Sequence, residues 1–288
     1  MSDIVSLNNY RQDFQEDSPL FFPVKAIENY EIIDDAGRSF HNPNGVAIVR
    51  EDTNEVIGTH KSGFKLVKNS EVFPAVHDAL KRSSLDLTGM TIKDEISNGG
   101  AKAFRTYVFP AHTVEISNGD ECQLQIRWGN SYDGSMSLNA IGGAFRLLCS
   151  NGMVAGDVAG RVKRKHTKNI DFESLVASIN NSTVEYIRRM EEWKNWTTVH
   201  VTDAAAQTVF EAMPGTNDKL VEKLMRNWQD EKSEIGNTKW ALFNALTYWS
   251  THEDVRESRK DNVASIVAQR ESRVAKVMES HAFQRLAA

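Results

Sequence analysis

The 288-residue sequence has only two cysteines, six prolines and no apolar run of membrane-spanning length. A transmembrane helix needs about twenty consecutive apolar residues. Cys122 and Cys149 lie inside apolar, strand-like runs and form no C-x-x-C pair, so we expect buried thiols rather than a disulfide or a metal site. Charged residues between Asp3 and Asp17 interrupt the amino-terminal segment, which argues against a secretory signal and predicts a cytoplasmic protein.

The chain also lacks an excess of positive charge, since 34 Lys and Arg against 39 Asp and Glu give a formal net charge of -5. A wholly basic nucleic-acid coat is therefore excluded, and any surface that binds nucleic acid has to be a local patch. Residues 160–168 supply such a patch, because five Lys and Arg side chains fall within nine residues. A polynucleotide is the expected partner, because neutralised phosphates release condensed counterions. The alternative is a solvated loop ahead of a helix.

Motifs for catalysis and for metal binding are missing as well. Residues 58–65 have the glycine spacing of a phosphate-binding loop but lack its Lys-Ser/Thr ending, so they do not predict a nucleotide triphosphatase. The eight histidines form no pair at metal-ligand spacing. No general base accompanies the polar turn at 133–135, and a plain turn is the simpler interpretation. We therefore expect no enzymatic activity, no cofactor and no metal.

Hydrophobic periodicity predicts an α+β fold in which a strand-rich portion packs on a helical portion as one unit. The portions are an irregular amino-terminal arm (1–40), a strand-rich segment (41–168) and a helical segment (169–288). Predicted strands cover 45–50 and 56–60, joined as a hairpin, and 90–96, 103–114 and 122–128. Residues 131–154 are interpreted as two further strands that turn at Gly142 and Gly143, because paired glycines weaken a helix.

Apolar residues at three-and-four spacing predict six helices. The first begins behind a Ser70 cap, and the others cover 172–193, 203–213, 216–228, 237–252 and 262–283. Thr202 or Asp203 is the expected cap of the third helix, and Thr216 that of the fourth. The last helix has two open interpretations, a packed terminal helix or an oligomerisation helix.

The candidate binding residues combine cations with planar side chains, which suits single-stranded nucleic acid. Unpaired bases stack on aromatic rings with about 1–3 kcal/mol each, while Lys and Arg hold the backbone. The candidates are Lys61, Lys65, Lys68, Arg105, Tyr107, Arg127, Tyr132, Arg146, Arg161, Lys163, Arg164, Lys165, His166 and Lys168. Strand parity places Arg105 and Tyr107 on one face. Trp128 shares the apolar face of its strand, and we expect it in the core.

Several segments resemble the phage and plasmid proteins grouped as domain of unknown function 932. The similar segments are Gly58 with 64–73, then 130–135, 146–151, 165–167 and 237–252. Their order and spacing cover nearly the whole chain. Two positions depart from the pattern: Tyr132 stands where relatives often carry histidine, and Phe64 where tyrosine is common.

One branch of that family resembles this chain in length and acidic charge, the Drc-type DNA-binding RNA polymerase cofactors of lytic podophages. The resemblance implies cooperative binding to single-stranded DNA without strong sequence preference. It also implies recruitment of a phage-encoded RNA polymerase to middle promoters in the host cytoplasm. The resemblance supplies no catalytic residues.

Three hypotheses from different classes follow. The first is a single-stranded DNA-binding protein that acts in phage transcription, and the second is a strand-annealing recombination protein. The third is an enzyme or antirestriction-type factor with a site in the loops around Tyr132, Ser135 and Asn151. For the two binding hypotheses we expect a homo-oligomer. One protomer is acidic and has only a short basic patch, whereas several aligned copies can contact a longer stretch of one strand.

The basic run generates a first prediction. Replacement of Lys163, Arg164 and Lys165 by alanine should flatten the plot of log affinity against log salt by about 2, because each lost phosphate contact removes about 0.7 from the slope for single strands. Fluorescence anisotropy with a labelled oligothymidine measures this slope. An unchanged slope and affinity would remove the run from the binding site.

Overall fold

The computed structural model describes residues 18–136, 139–146, 151–154 and 172–286. Antiparallel sheets occupy the amino-terminal half and helices the carboxy-terminal half, which confirms the predicted α+β class. The basic run at 161–168 and Cys149 lie outside the described residues. Cys122 is buried, as expected, and burial raises the pKa of its thiol.

The first two sheets are small. Their strands are β1 (Val24–Glu28), β2 (Glu31–Ile33), β3 (Ser39–His41), β4 (Gly45–Arg50) and β5 (Glu55–Lys61). The antiparallel order β1-β4-β5 contains the predicted hairpin, and β2 pairs with β3. The prediction of an irregular arm over residues 1–40 was wrong at β1, at β2 and at the start of β3. Only Val24 of β1 is buried, so the arm shows no period-two alternation that would have revealed the strand.

The third sheet is an antiparallel meander that forms the main platform of the fold. After helix α1 (Asn69–Arg82) it comprises β6 (Thr91–Ser97), β7 (Lys102–Ser117), β8 (Asp120–Ser131), β9 (Asn139–Arg146) and β10 (Asn151–Val154). Its order is β10-β9-β8-β7-β6. Two strands do follow Ser131, but Gly142 and Gly143 lie inside β9 opposite Ile126 and Gln125. The predicted turn was misplaced because both glycines sit in ladder positions, and β9 continues to Arg146.

The remaining helices are α2 (Phe172–Trp196), α3 (Asp203–Glu211), α4 (Asp218–Ile235), α5 (Lys239–His252), α6 (Val263–Met278) and α7 (His281–Gln284). Thr202 caps α3, as predicted, whereas Asn217 rather than Thr216 caps α4. Lys68, not Ser70, is the N-cap residue of α1, and its side chain makes no capping bond. No described helix is long and apolar enough to cross a membrane.

One large hydrophobic cluster contains residues from both halves of the chain. Trp193, Trp240 and Phe243 lie at its centre, with ring centroids 5.2–5.8 Å apart. Trp128 is fully buried, as predicted. Phe283 is also buried, so the final segment packs on the core as a terminal helix pair.

A buried charge network joins the main sheet to the helices. Arg146 in β9 donates to both carboxylate oxygens of Asp120 at 2.6 and 2.9 Å and to Glu231 in α4 at 3.0 Å. Trp240 in α5 donates to the same aspartate at 2.7 Å. Burial raises the pKa of Glu231, and the nearby Arg146 opposes that shift. The network thus links β8 and β9 of the main sheet to α4 and α5, and each of its buried charges depends on a partner from the other half of the chain.

The network generates a stability prediction. Arg146→Met leaves Asp120 and Glu231 buried without a counter-charge, so the free energy of unfolding should fall by about 3–5 kcal/mol. Arg226→Met is the control, since Arg226 is exposed, and it should change stability by less than about 0.5 kcal/mol. Urea denaturation followed by tryptophan fluorescence compares the two variants. Equal losses would contradict a structural role for Arg146.

Candidate nucleic-acid interface

Three candidate binding residues lie in the core instead of on a surface. Arg105, Tyr107 and Arg146 have no exposed area. Arg105 forms two bonds with Asp94 at 2.6 and 2.7 Å and lies over the ring of Phe73. Burial raises the pKa of the Tyr107 hydroxyl well above its usual value. A side chain without accessible surface cannot contact a strand, so the assignment of these three residues to the interface is corrected.

Arg127 is also engaged within the protein. Its guanidinium donates to Glu271 in α6 at 2.7 Å and to the hydroxyl of Thr106 at 3.2 Å, and its side chain is only 11% exposed. The assignment of Arg127 to an open interface is therefore corrected too. The sequence could not reveal this contact, because the two partners are 144 residues apart.

Tyr132 has a structural role at the start of α1. It is buried, and its hydroxyl accepts a hydrogen bond from the backbone N–H of Asn69 at 2.8 Å. The bond satisfies one of the amide donors that the first turn of a helix leaves unpaired. Burial raises the pKa of the Tyr132 hydroxyl. Tyr132 is thus removed from the stacking candidates and assigned to the support of the adjoining loop.

The segments around Gly58 and Tyr132 are in close contact. A Cβ atom at Gly58 would lie 2.1 Å from the carbonyl oxygen of Tyr132, so only glycine permits this approach. The same oxygen accepts a hydrogen bond from Nε2 of His60 at 2.6 Å. Gly134, at a φ of +72°, packs beside the His60 ring. These contacts fix the end of β5 against the turn that follows β8.

The side chains of that turn bond locally. Asp133 accepts the backbone N–H of Ser135 at 2.9 Å, which is the geometry of an Asx turn. This bond accounts for the Asp-Gly-Ser pattern without a nucleophile. Among the described residues, no group of three or more His, Cys, Asp or Glu is placed to hold a metal ion.

His60 and Phe64 form a ring pair that sequence reasoning missed. Their planes are almost parallel, at 3°, with centroids 3.6 Å apart. Both side chains keep part of their surface exposed. Hydrophobic periodicity could not predict this ring pair, because Phe64 lies in the irregular connection between β5 and α1.

The last residue of β5 and the connection from β5 to α1 present three of the candidate cations. Lys61, Lys65 and Lys68 are all exposed, and no acidic residue occurs from 56 to 70. None of the ion pairs found within the described residues involves these three lysines. Their charge is therefore available to an external anion.

The backbone of the connection between β5 and α1 is anchored by a buried side chain and by hydrogen bonds from β8. Val67 is buried, and its carbonyl accepts a bond from the Asn130 amide at 3.3 Å. The same amide donates to Asn69 at 2.8 Å. The lysines thus stand on an anchored backbone, next to the amino-terminal end of α1 with its partial positive charge. We name residues 60–68 the lysine loop.

Comparison with known proteins gives one match. A family model described as "Domain of unknown function (DUF932)" matches residues 56–276, which include the lysine loop and most of the helical half. No curated protein and no solved structure matches the chain.

The support of the lysine loop generates a prediction. Tyr132→Phe leaves the Asn69 amide without its acceptor, so the free energy of unfolding should fall by about 1–3 kcal/mol. Tyr248→Phe is the matched control, because Tyr248 is 40% exposed and should change stability by less than about 0.5 kcal/mol. Thermal and urea unfolding measure both variants. The same small effect in both would show that the Tyr132 hydroxyl does not support α1.

Proposed function

This chain belongs to the family described as Domain of unknown function (DUF932), and we propose that it binds single-stranded DNA without strong sequence preference. In this proposal the protein is a phage transcription cofactor that brings a phage-encoded RNA polymerase to middle promoters in the bacterial cytoplasm. The polymerase role rests on the resemblance to the Drc-type cofactors. The binding role rests on the lysine loop.

The main support is electrostatic. Lys61, Lys65 and Lys68 stand exposed on a segment free of acidic residues, although the whole chain has a net charge of -5. Phosphates that bind such a segment release counterions, and this gain needs no base recognition. The lysine loop is therefore suited to a backbone contact that is sensitive to salt and tolerant of sequence.

The ring pair supports a preference for unpaired strands. His60 directly precedes Lys61, and Phe64 lies between Lys61 and Lys65; the two ring planes are within 3° of parallel. An unpaired base offers a π face to such rings, whereas a duplex hides its bases in the stack. The combination of lysines and planar rings thus favours single-stranded over double-stranded DNA.

The basic run at 161–168 completes the proposed interface. It is outside the described residues, and its part in binding rests on its charge and on the family resemblance. The basic run and the lysine loop together contain eight Lys and Arg side chains, in a chain whose net charge is -5. A homo-oligomer in which copies align along one strand would multiply these contacts.

The lysine loop generates the test of the proposal. Substitution of Lys61, Lys65 and Lys68 by alanine should weaken oligothymidine binding by about tenfold or more at about 0.1 M salt, where the Debye length is about 10 Å, and flatten the salt slope by about 2. The control variant replaces Lys81, Lys219 and Lys276 by alanine. These three lysines are exposed and lie outside the lysine loop, and their replacement changes the net charge by the same amount. Fluorescence anisotropy compares both variants with the wild type.

The control variant should stay within about twofold of the wild type, because charge far from a bound strand is screened beyond the Debye length. Equal weakening in both variants would mean that overall charge, rather than the lysine loop, governs binding. Faster pairing of complementary oligonucleotides in the presence of the protein would favour the strand-annealing function instead.

A further inference from the structure

A small hairpin between β1 and β4 forms a sheet of its own. It consists of β2, β3 and the turn between them, residues 31–41, and we name it the acidic hairpin. All six residues of its two strands are exposed in the described part of the chain. A two-stranded hairpin is at best marginally stable by itself in water, so a covering surface would stabilise it.

The acidic hairpin exposes apolar side chains on both of its faces. Ile32 lies opposite Phe40 on one face, and Ile33 lies on the other face opposite Ser39. Each of these three apolar side chains is more than half exposed. A single exposed apolar residue is normal on a protein surface, whereas several on one short element mark an interaction site.

The charge of the acidic hairpin is negative. It contains Glu31, Asp34 and Asp35 against one Lys or Arg side chain, Arg38. Arg38 donates to Asp34 at 2.7 Å, and this bond lowers the pKa of the aspartate. None of the ion pairs within the described residues involves Glu31 or Asp35. Two uncompensated carboxylates therefore accompany the exposed apolar side chains.

The acidic hairpin and the lysine loop lie at the same end of the β1-β4-β5 sheet. The hairpin leads into β4, whose first residue, Gly45, pairs with Lys61 at the end of β5. The backbone N–H of Ser62 donates to the carbonyl of Asn44 at 2.8 Å. One protomer therefore presents an acidic surface and a basic surface side by side.

These two surfaces are complementary in charge and in polarity. The lysine loop has three exposed lysines and no acidic residue, and the side chains of Phe64 and Leu66 are partly exposed there. The exposed strands of the acidic hairpin do not fold back on the loop of their own chain. Because hairpin and loop are neighbours, one two-fold axis can place each hairpin on the loop of the other copy, which gives a closed, isologous interface.

We infer that the acidic hairpin of one copy docks on the lysine loop of a second copy, and that two DNA-free copies do so reciprocally as a dimer. The lysines that contact the hairpin are also those of the proposed DNA contact, so hairpin and DNA exclude each other. This exclusion rests on the proposed function. A bound strand then shifts the equilibrium toward open loops, as any ligand favours the state for which it has the higher affinity.

Exchange of charge between the two surfaces tests the contact. Glu31→Lys/Asp35→Lys reverses the charge of the hairpin, and Lys61→Glu/Lys65→Glu reverses that of the loop. Either variant alone has like charges at both contacts, so its dimer dissociation constant should rise by about tenfold or more. An equimolar mixture has opposite charges at both contacts and should dimerise within about threefold of the wild type. Sedimentation velocity measures these constants.

Glu222→Lys/Glu279→Lys is the control for reversed charge, because both glutamates are exposed and lie outside the acidic hairpin. It should leave the dissociation constant within about twofold of the wild type, since distant charges are screened. Three results would overturn the inference: a wild-type protein that stays monomeric at about 0.1 M salt even at submillimolar concentration, equal weakening by the control, or a mixture that fails to dimerise.

A variant without a change in charge tests the competition with DNA. Ile32→Ser/Phe40→Ser removes apolar contacts of the hairpin, so it should weaken the dimer and tighten oligothymidine binding by about threefold or more, because fewer loops are covered. Val184→Ser/Ile187→Ser is the control, since these two side chains are exposed on α2, and it should change neither constant by more than about twofold. Fluorescence anisotropy is measured at protein concentrations at which the wild type is a dimer.

Equal oligothymidine affinities for Ile32→Ser/Phe40→Ser and the wild type would overturn the exclusion of DNA by the hairpin. A protein whose charge-exchanged variants form the mixed dimer, but which binds no oligonucleotide at any salt concentration, would instead overturn the proposed function and leave the dimer contact in place.

Discussion

Arg146 binds Asp120 and Glu231 in the interior, and this contact determines how the two halves of the chain meet. The network brings together β8, β9, α4 and α5, because Trp240 donates to the same aspartate. A buried guanidinium stays charged, so its carboxylates must stay in reach. Hydrophobic packing alone tolerates small shifts between helices and a sheet, whereas a fully matched charge network does not. The meander and the helical layer are therefore held in one relative orientation.

The same principle separates structural cations from those that can bind a ligand. Arg105, Arg127 and Arg146 all face carboxylates inside the protein, at N–O distances of 2.6–2.7 Å for their shortest bonds. Lys61, Lys65 and Lys68 face solvent. Arginine suits the first role through its planar, always charged fork, and lysine the second as a mobile point charge. The proposed binding role therefore falls to the lysine loop, whose backbone is bonded by Asn130 and, at the start of α1, by Tyr132.

Local patterns in the sequence were enough to predict the β4–β5 hairpin, the helices of the second half and the burial of Trp128. Each of these depends on periodicity or turn residues within a short window. The partners of the buried arginines could not be predicted, since Arg127 and Glu271 are separated by 144 residues and Arg146 and Glu231 by 85. The same holds for the contact of Gly58 with Tyr132. From the sequence alone, every Lys or Arg side chain can be considered for ligand binding. Only the folded structure shows which of them already form an ion pair with a carboxylate inside the protein.

Binding of the wild-type protein to matched single-stranded DNA, duplex DNA and single-stranded RNA, measured over a range of salt concentrations, tests the central claim most directly. We expect tighter binding to single strands than to duplex DNA, little dependence on base sequence, and a log affinity that falls linearly with log salt concentration. Failure to bind single strands even at low salt, or equal binding to duplex, would contradict the assignment of the lysine loop to unpaired DNA.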